Sequence, residues 1–77
     1  MKLYDNGGKS FDRYTLVLAF DVFGFSENAL MPDGFSQYLG KPEEFPPEVL
    51  GKIIRAGDAP KQVQELIKSI ISELYGE

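Results

Sequence analysis

Gly8-Lys9-Ser10 places residue types in the order that closes a phosphate-cradling loop. In such a loop successive backbone N–H groups hold phosphate oxygens, the lysine reaches the terminal phosphates and the hydroxyl takes a magnesium ion. Two carboxylates, Asp5 and Asp12, flank the stretch, and Arg13 follows. Paired carboxylates can do acid–base work where a site pushes their pKa values apart. The phosphate requirement, however, is only half met. The pattern needs a glycine five residues before Gly8, where this chain has Leu3, and a helix afterwards, where Arg13-Tyr14-Thr15-Leu16 reads as strand. Without a helix N-terminus there is no dipole or fan of free N–H groups for a phosphate, and Asp5 and Asp12 would repel one. Asn6-Gly7-Gly8 is instead what a hairpin turn needs, because these residues accept positive φ cheaply. The expectation is a turn. The Lys9, Asp12 and Arg13 charges beside it read as a solvated cluster, and no catalytic residue is assigned.

A second stretch, Val22-Phe23-Gly24-Phe25-Ser26, resembles the aromatic strand of cold-shock and RNA-recognition domains, where rings stack on bases. Those strands carry Lys or Arg beside the rings, whereas Asp21 and Glu27 flank this one. The expected role is packing: both rings against a helix, with Gly24 giving clearance. The candidate binding residues are therefore Asp5, Asn6, Lys9, Asp12, Arg13, Phe23 and Phe25. The chain has no cysteine and no histidine, which removes thiolate and imidazole metal sites and the commonest general base. With no calcium-loop spacing either, neither a metal nor another cofactor is expected.

These residues need elements to hold them. Nine of the ten aromatics lie in residues 1 to 45, and the front of the chain reads as sheet. Arg13 to Phe20 is rich in aromatic and β-branched residues. Tyr14, Leu16, Leu18 and Phe20 alternate with Thr15, Val17 and Ala19, so both faces are apolar, as in a central strand. Val22 to Ser26 forms a second strand after a turn near Phe20-Asp21, and Lys2-Leu3-Tyr4 can pair with the long strand across the glycine loop. Residues 26 to 34 read as loop, with Asp33 capping one or two helical turns from Phe35 to Leu39 that stop at Gly40. Lys41 to Pro47 reads as a connector.

From Val63, apolar residues recur at Leu66, Ile67, Ile70, Ile71 and Leu74, the stripe of an amphipathic helix. Pro60 suits its first turn, and Asp58 is placed to meet free N–H groups there. Glu48 to Ala56 leaves two readings open. One is a short helix between Pro47 and Gly57 that tolerates Gly51. The other is a strand, Lys52 to Arg55, entered through Gly51.

Seventy-seven residues make one domain, spanning residues 1–77. A chain this short buries only about 60% of the surface its unfolded form exposes. It carries 8 basic and 12 acidic residues, net −4, with each part of the chain acidic. The missing cationic cluster argues against nucleic-acid binding through phosphates. No apolar run approaches the roughly 20 residues of a membrane span, and the N-terminus lacks an apolar signal core. A cytoplasmic protein is expected.

Three stretches resemble a group of small uncharacterised phage and bacterial proteins. "YDNGGKSFDRYT" is similar to that group's DNGGK-x-x-DRYT opening. "FGFSENALMPDGFSQYLG" resembles its aromatic strand, Ser and Pro-x-Gly-Phe-x-Gln turn, and "LGKIIRAGDAPKQVQELI" its Leu-Gly-Lys-x-Ile strand leading into a helix. The chain departs from the group in having Ala59 before Pro60 and in lacking the histidines some members carry. The resemblance implies a phage or prophage origin and a strand at residues 52 to 55, and it implies no activity. The motif around Asp5, Asn6, Gly7, Gly8, Asp12 and Arg13 either pins a loop or forms a recognition surface.

The expected fold is α+β: a small antiparallel sheet of three or four strands with the C-terminal amphipathic helix on one face. Two functions are carried forward. One is a non-catalytic binding or accessory module engaging a host protein. The other is a small-ligand or nucleic-acid binder using the Phe23 and Phe25 strand and the Asn6 to Gly8 loop. Because Phe35, Tyr38 and the residues around Met31 are few, the sheet face opposite the helix is expected to stay open, for a homodimer or a host protein partner.

Overall fold

A computed structural model describes residues 1–9, 12–26 and 36–76. Five strands form one antiparallel sheet: β1 (Lys2–Asp5), β2 (Tyr14–Val17), β3 (Val22–Phe25), β4 (Ser36–Gly40) and β5 (Lys52–Ile54). Their order across the sheet is β4-β3-β2-β1-β5. The first four run as a meander, and the chain then crosses to the far edge, where β5 joins β1. Among the described residues there are two helices, α1 (Pro47–Leu50) and α2 (Lys61–Tyr75), and 3-10 turns at Pro42–Glu44 and Ala56–Asp58. The α+β class and the C-terminal helix packed on the sheet are as expected from the sequence.

Register decides which residues meet α2. Leu3 pairs with Leu16 and Ile54, Leu16 with Phe23, and Phe23 with Tyr38. Paired residues share a face, so Leu3, Leu16, Phe23 and Ile54 line the α2 side, with Tyr14 and Phe25 in the next row. Leu3, Tyr14, Leu16, Leu18 and Phe25 form the buried core with Ala59, Val63 and Ile67. Leu66, Ile70 and Ile71 pack around it, whereas Leu74, at the end of the stripe, is 46% exposed. A helix of 15 residues is marginal alone in water, so this packing is what holds α2.

The sheet has five strands because two segments behave differently from their local signals. Residues 36 to 39, expected to be helical, form β4. The edge of β3 offers unpaired backbone groups, and Tyr38 meets Phe23 edge-on with centroids 5.5 Å apart. Pairing along the edge outweighs a weak helical preference. Phe35, Asp33 and Met31 lie outside the described residues. The segment 48 to 56 follows both of its readings in turn: α1 ends at Leu50, Gly51 turns the chain at φ 99°, and β5 begins at Lys52. The strand expected over 13 to 20 is shorter, because Ala19 and Phe20 form an exposed turn closed by Leu18 N–H donating to the Asp21 carbonyl (2.8 Å). Asp58 belongs to the preceding 3-10 turn, where it accepts from the Arg55 N–H (3.3 Å). Pro60 precedes the first residue of α2, and Gln64 donates to the Ala59 carbonyl (2.8 Å).

The face opposite α2, expected to stay open, is covered over β1 to β3, whereas Ile53 on β5 remains exposed. Tyr4, Thr15 and Val22 lie on it, and each is at most 6% exposed. The segment expected to be a mere connector folds back over them. Leu50 is buried, and Phe45 lies so close over Gly40 that an added Cβ there would sit 3.4 Å from its ring. Tyr38 contributes nothing to this face, since it sits beside Phe23 on the α2 side.

Candidate functional site

The loop between β1 and β2 contains most of the residues singled out from the sequence. Asp5 closes β1, and Arg13 immediately precedes β2. Asn6 joins the two limbs: its N–H donates to the Arg13 carbonyl (3.0 Å) and its Nδ2 to the Asp12 carbonyl (3.0 Å). Between them the chain turns through Gly7 at φ 74° and Gly8 at φ 86°, conformations that side-chain-bearing residues avoid.

Successive backbone N–H groups in a turn can together hold an anion. Here the chain's own side chains accept them. The Gly7 N–H donates to Asp5 Oδ1 (2.8 Å), and the Gly8 and Lys9 N–H groups donate to Asn6 Oδ1 (2.8 and 3.1 Å). Arg13 Nε donates to the same Asp5 oxygen (2.9 Å), and an outer guanidinium nitrogen lies 3.4 Å from Oδ2. The guanidinium also sits 5.4 Å from the centre of the Tyr14 ring. Hydrogen bonding from Arg13 holds the Asp5 carboxyl below the ordinary aspartate range. Partial burial opposes that shift, while the Gly7 N–H and the charges of Arg13 and Lys52 add to it. After the loop, residues 12 to 17 lead into β2 and not into a helix. Among the described residues, then, no helix opens after this loop, and the N–H groups of Gly8 and Lys9 are not free for a phosphate.

Asp12 turns to the other side of the sheet, over Gly24. A Cβ on Gly24 would lie 2.8 Å from Asp12 Cγ, so Gly24 gives clearance to this carboxylate and not, as expected, to the helix. Asn6, Asp12 and Thr15 share a cavity of about 250 Å³ with Phe45, Val49 and Leu50. That is smaller than the roughly 300 Å³ at which ligand pockets begin. Lys9 is exposed at the tip of the loop. Among the described residues, no three carboxylates converge as a metal site would need.

The aromatic pair does not join this loop to make a stacking platform. Phe25 is fully buried in the core, and Phe23 is half-buried against Tyr38. The geometry thus brings the side chains of Asp5, Asn6 and Arg13 together, turns Asp12 to the opposite side of the sheet over Gly24, and leaves the Phe23 and Phe25 rings packed on the α2 side.

Sequence reasoning missed a second feature, at β5. Val49 and Ile53 stand on either side of Gly51, at 65% and 56% exposure. Both belong to the sheet side away from α2: Ile53 pairs with the buried Tyr4, and Val49 lines the same cavity as Thr15. Among the described residues β5 pairs with β1 alone. A groove of about 570 Å³ runs beside it, lined by Lys52, Ile53, Ile54, Arg55 and Asp58. The signal was present in Lys52-Ile53-Ile54-Arg55, a short apolar strand bracketed by cations. Only the strand order showed that it lies at an edge.

Comparison with known proteins gives no match: no protein-family model, no curated protein and no solved structure is significantly similar to this chain.

Proposed function

We propose that this protein is a small non-catalytic binding module that engages another protein through the β5 side of its sheet. The observation that carries the reading is the pair of large apolar side chains, Val49 and Ile53, beside a strand whose outer edge is unpaired among the described residues. An open edge with apolar neighbours is a template for another chain. The side-chain oxygens of Asp5 and Asn6 and the Arg13 guanidinium bond one another and the backbone of the first loop. Phe20, 72% exposed, stands in the turn at the opposite end of the sheet, and single exposed rings of that kind are ordinary. The resemblance of the opening motif to phage and bacterial proteins implies a phage or prophage origin; the partner proposed on that basis is a host protein, and the place of action the host cytoplasm. No helix among the described residues is long and apolar enough to cross a membrane.

A selection from a displayed library of random peptides tests the reading without knowledge of the partner. Enriched peptides should bind the native chain and lose binding to Ile53→Asp, whose fold is checked by circular dichroism. Peptides that ignore Ile53→Asp and are lost with Lys9→Glu would place recognition on the first loop and overturn the proposal.

A further inference from the structure

We infer that β5 takes up an extended segment of the partner as a sixth strand, and that this segment has the order acidic–apolar–apolar–acidic. The inference rests on the binding-module reading above and specifies its partner. β5 presents Lys52, Ile53, Ile54 and then Arg55 along an edge that pairs only with β1 among the described residues. Side chains alternate along a strand, so Lys52 and Ile54 fall on the α2 side, with Ile53 and Arg55 on the other. An added strand would therefore meet one cation and one isoleucine on each face of the sheet.

Charge decides between occupants. A second copy of β5 would set Lys52 opposite Arg55 in antiparallel pairing, or each cation opposite itself in parallel pairing. Like charges directly opposite are unfavourable across a sheet, and opposite charges are favourable. Cations on a short edge strand are also a common device against self-association. The protein as a whole is acidic, at net −4, and Lys52 and Arg55 are the cations of this edge, with Asp5 opposite Lys52 and Asp58 beside Arg55. The backbone N–H and carbonyl of Arg55 are bonded to Asp58, but its side chain is 91% exposed, with its Nε 3.7 Å from Asp58, and remains open to an acidic partner. A strand with acidic residues opposite Lys52 and Arg55, and apolar ones opposite Ile53 and Ile54, satisfies every position in either direction.

Two capped peptides provide the test, Thr-Glu-Val-Ile-Glu-Thr and its charge-reversed form Thr-Lys-Val-Ile-Lys-Thr, each titrated into the ¹⁵N-labelled full chain. The acidic peptide should shift and protect the amides of residues 52 to 55 and bind about tenfold more tightly than the basic one. Lys52→Glu with Arg55→Glu should invert that preference. Arg55→Glu alone, at a site so exposed that folding is not at risk, should reduce it. Equal binding of the two peptides, or shifts confined to other surfaces, would overturn the inference. If charge order makes no difference while Ile53→Asp still abolishes binding of library peptides, the acidic strand is excluded and the binding-module reading stands. Dimers in light scattering that Ile53→Asp abolishes would show β5 occupied by a second copy, and would equally overturn it.

Discussion

Arg13 reaches back across the first hairpin to Asp5, its Nε 2.9 Å from Oδ1. The same oxygen accepts the Gly7 N–H, and Asn6 ties both limbs of the loop together. Asp5 and Asn6 thus accept the loop N–H groups that a phosphate site would need free. The loop is also tied to the far edge of the sheet. An added Cβ on Gly51 would stand 2.5 Å from the Asp5 carbonyl oxygen and 2.6 Å from Asn6 Cα. The chain entering β5 therefore rests directly on the root of the loop.

The Asp5–Arg13 pair should make stability depend on acid. Folding lowers the Asp5 pKa from its ordinary 3.8, so the folded state takes up this proton less readily than the unfolded chain. The pair's contribution is complete above that value and is lost as pH falls through the lower folded pKa. Asp5→Asn should flatten that part of the pH dependence below 3.8 in urea unfolding. At neutral pH, Arg13→Ala should cost about 1 kcal/mol, since the pair is partly exposed. An unchanged acid limb in Asp5→Asn would show that the pair contributes nothing.

Nucleotides should not bind at Gly8-Lys9-Ser10. The N–H groups of Gly7, Gly8 and Lys9 already donate to Asp5 and Asn6, and a phosphate would have to displace both. ATP or GTP with magnesium, titrated into ¹⁵N-labelled protein, should leave the amides of residues 5 to 9 and 12 to 13 unmoved. Saturable shifts there at micromolar ligand would contradict this.

Gly51→Ala should destabilise the chain by about 2 kcal/mol or more. Its φ of 99° is unfavourable for alanine, and the new methyl would meet backbone rather than a movable side chain. Amides of β5 should exchange faster in the variant. Gly24→Ala is the instructive contrast, because the three atoms nearest its methyl all belong to the Asp12 side chain. Its cost, about 1 to 3 kcal/mol from overpacking, should fall when Asp12→Ala is added. Strictly additive effects would mean that the two sites do not touch.

In the helix, Ile67→Ala should cost about 2 to 5 kcal/mol, as expected for a large side chain removed from a packed core. Ile67 is 3% exposed and Leu74 is 46% exposed, so Leu74→Ala should cost much less. Equal costs in chemical denaturation would show that the stripe does not pack as described.

What could be read from the sequence divides along physical lines. The spacing of Val63, Leu66 and Ile67 marks α2, because a helix of that length repeats its signal several times. Tyr14 to Val17 was recognisable as a central strand because both of its faces are apolar. The segment containing Tyr38 was not, since its pairing partner, β3, decides its state. Nor was the cover over Tyr4 and Thr15, because Phe45 and Leu50 lie in a Pro- and Glu-rich stretch with no regular period. In the first loop, Asn6-Gly7-Gly8 announced a turn, and Asp and Asn before glycine are known to accept bonds from the backbone just ahead. That Asp5 would also hold Arg13 required the hairpin register.

The most direct test of the central claim, that recognition lies at β5 and not at the glycine loop, is a residue-resolved map of amide shifts. The native chain would be titrated with the tightest peptide from the library selection. Binding at β5 predicts changes at Val49 and at residues 52 to 55, with residues 5 to 9 unmoved beyond the contact that Gly51 makes with Asp5 and Asn6. Changes centred on Gly7, Gly8 and Lys9, with β5 silent, would contradict the account.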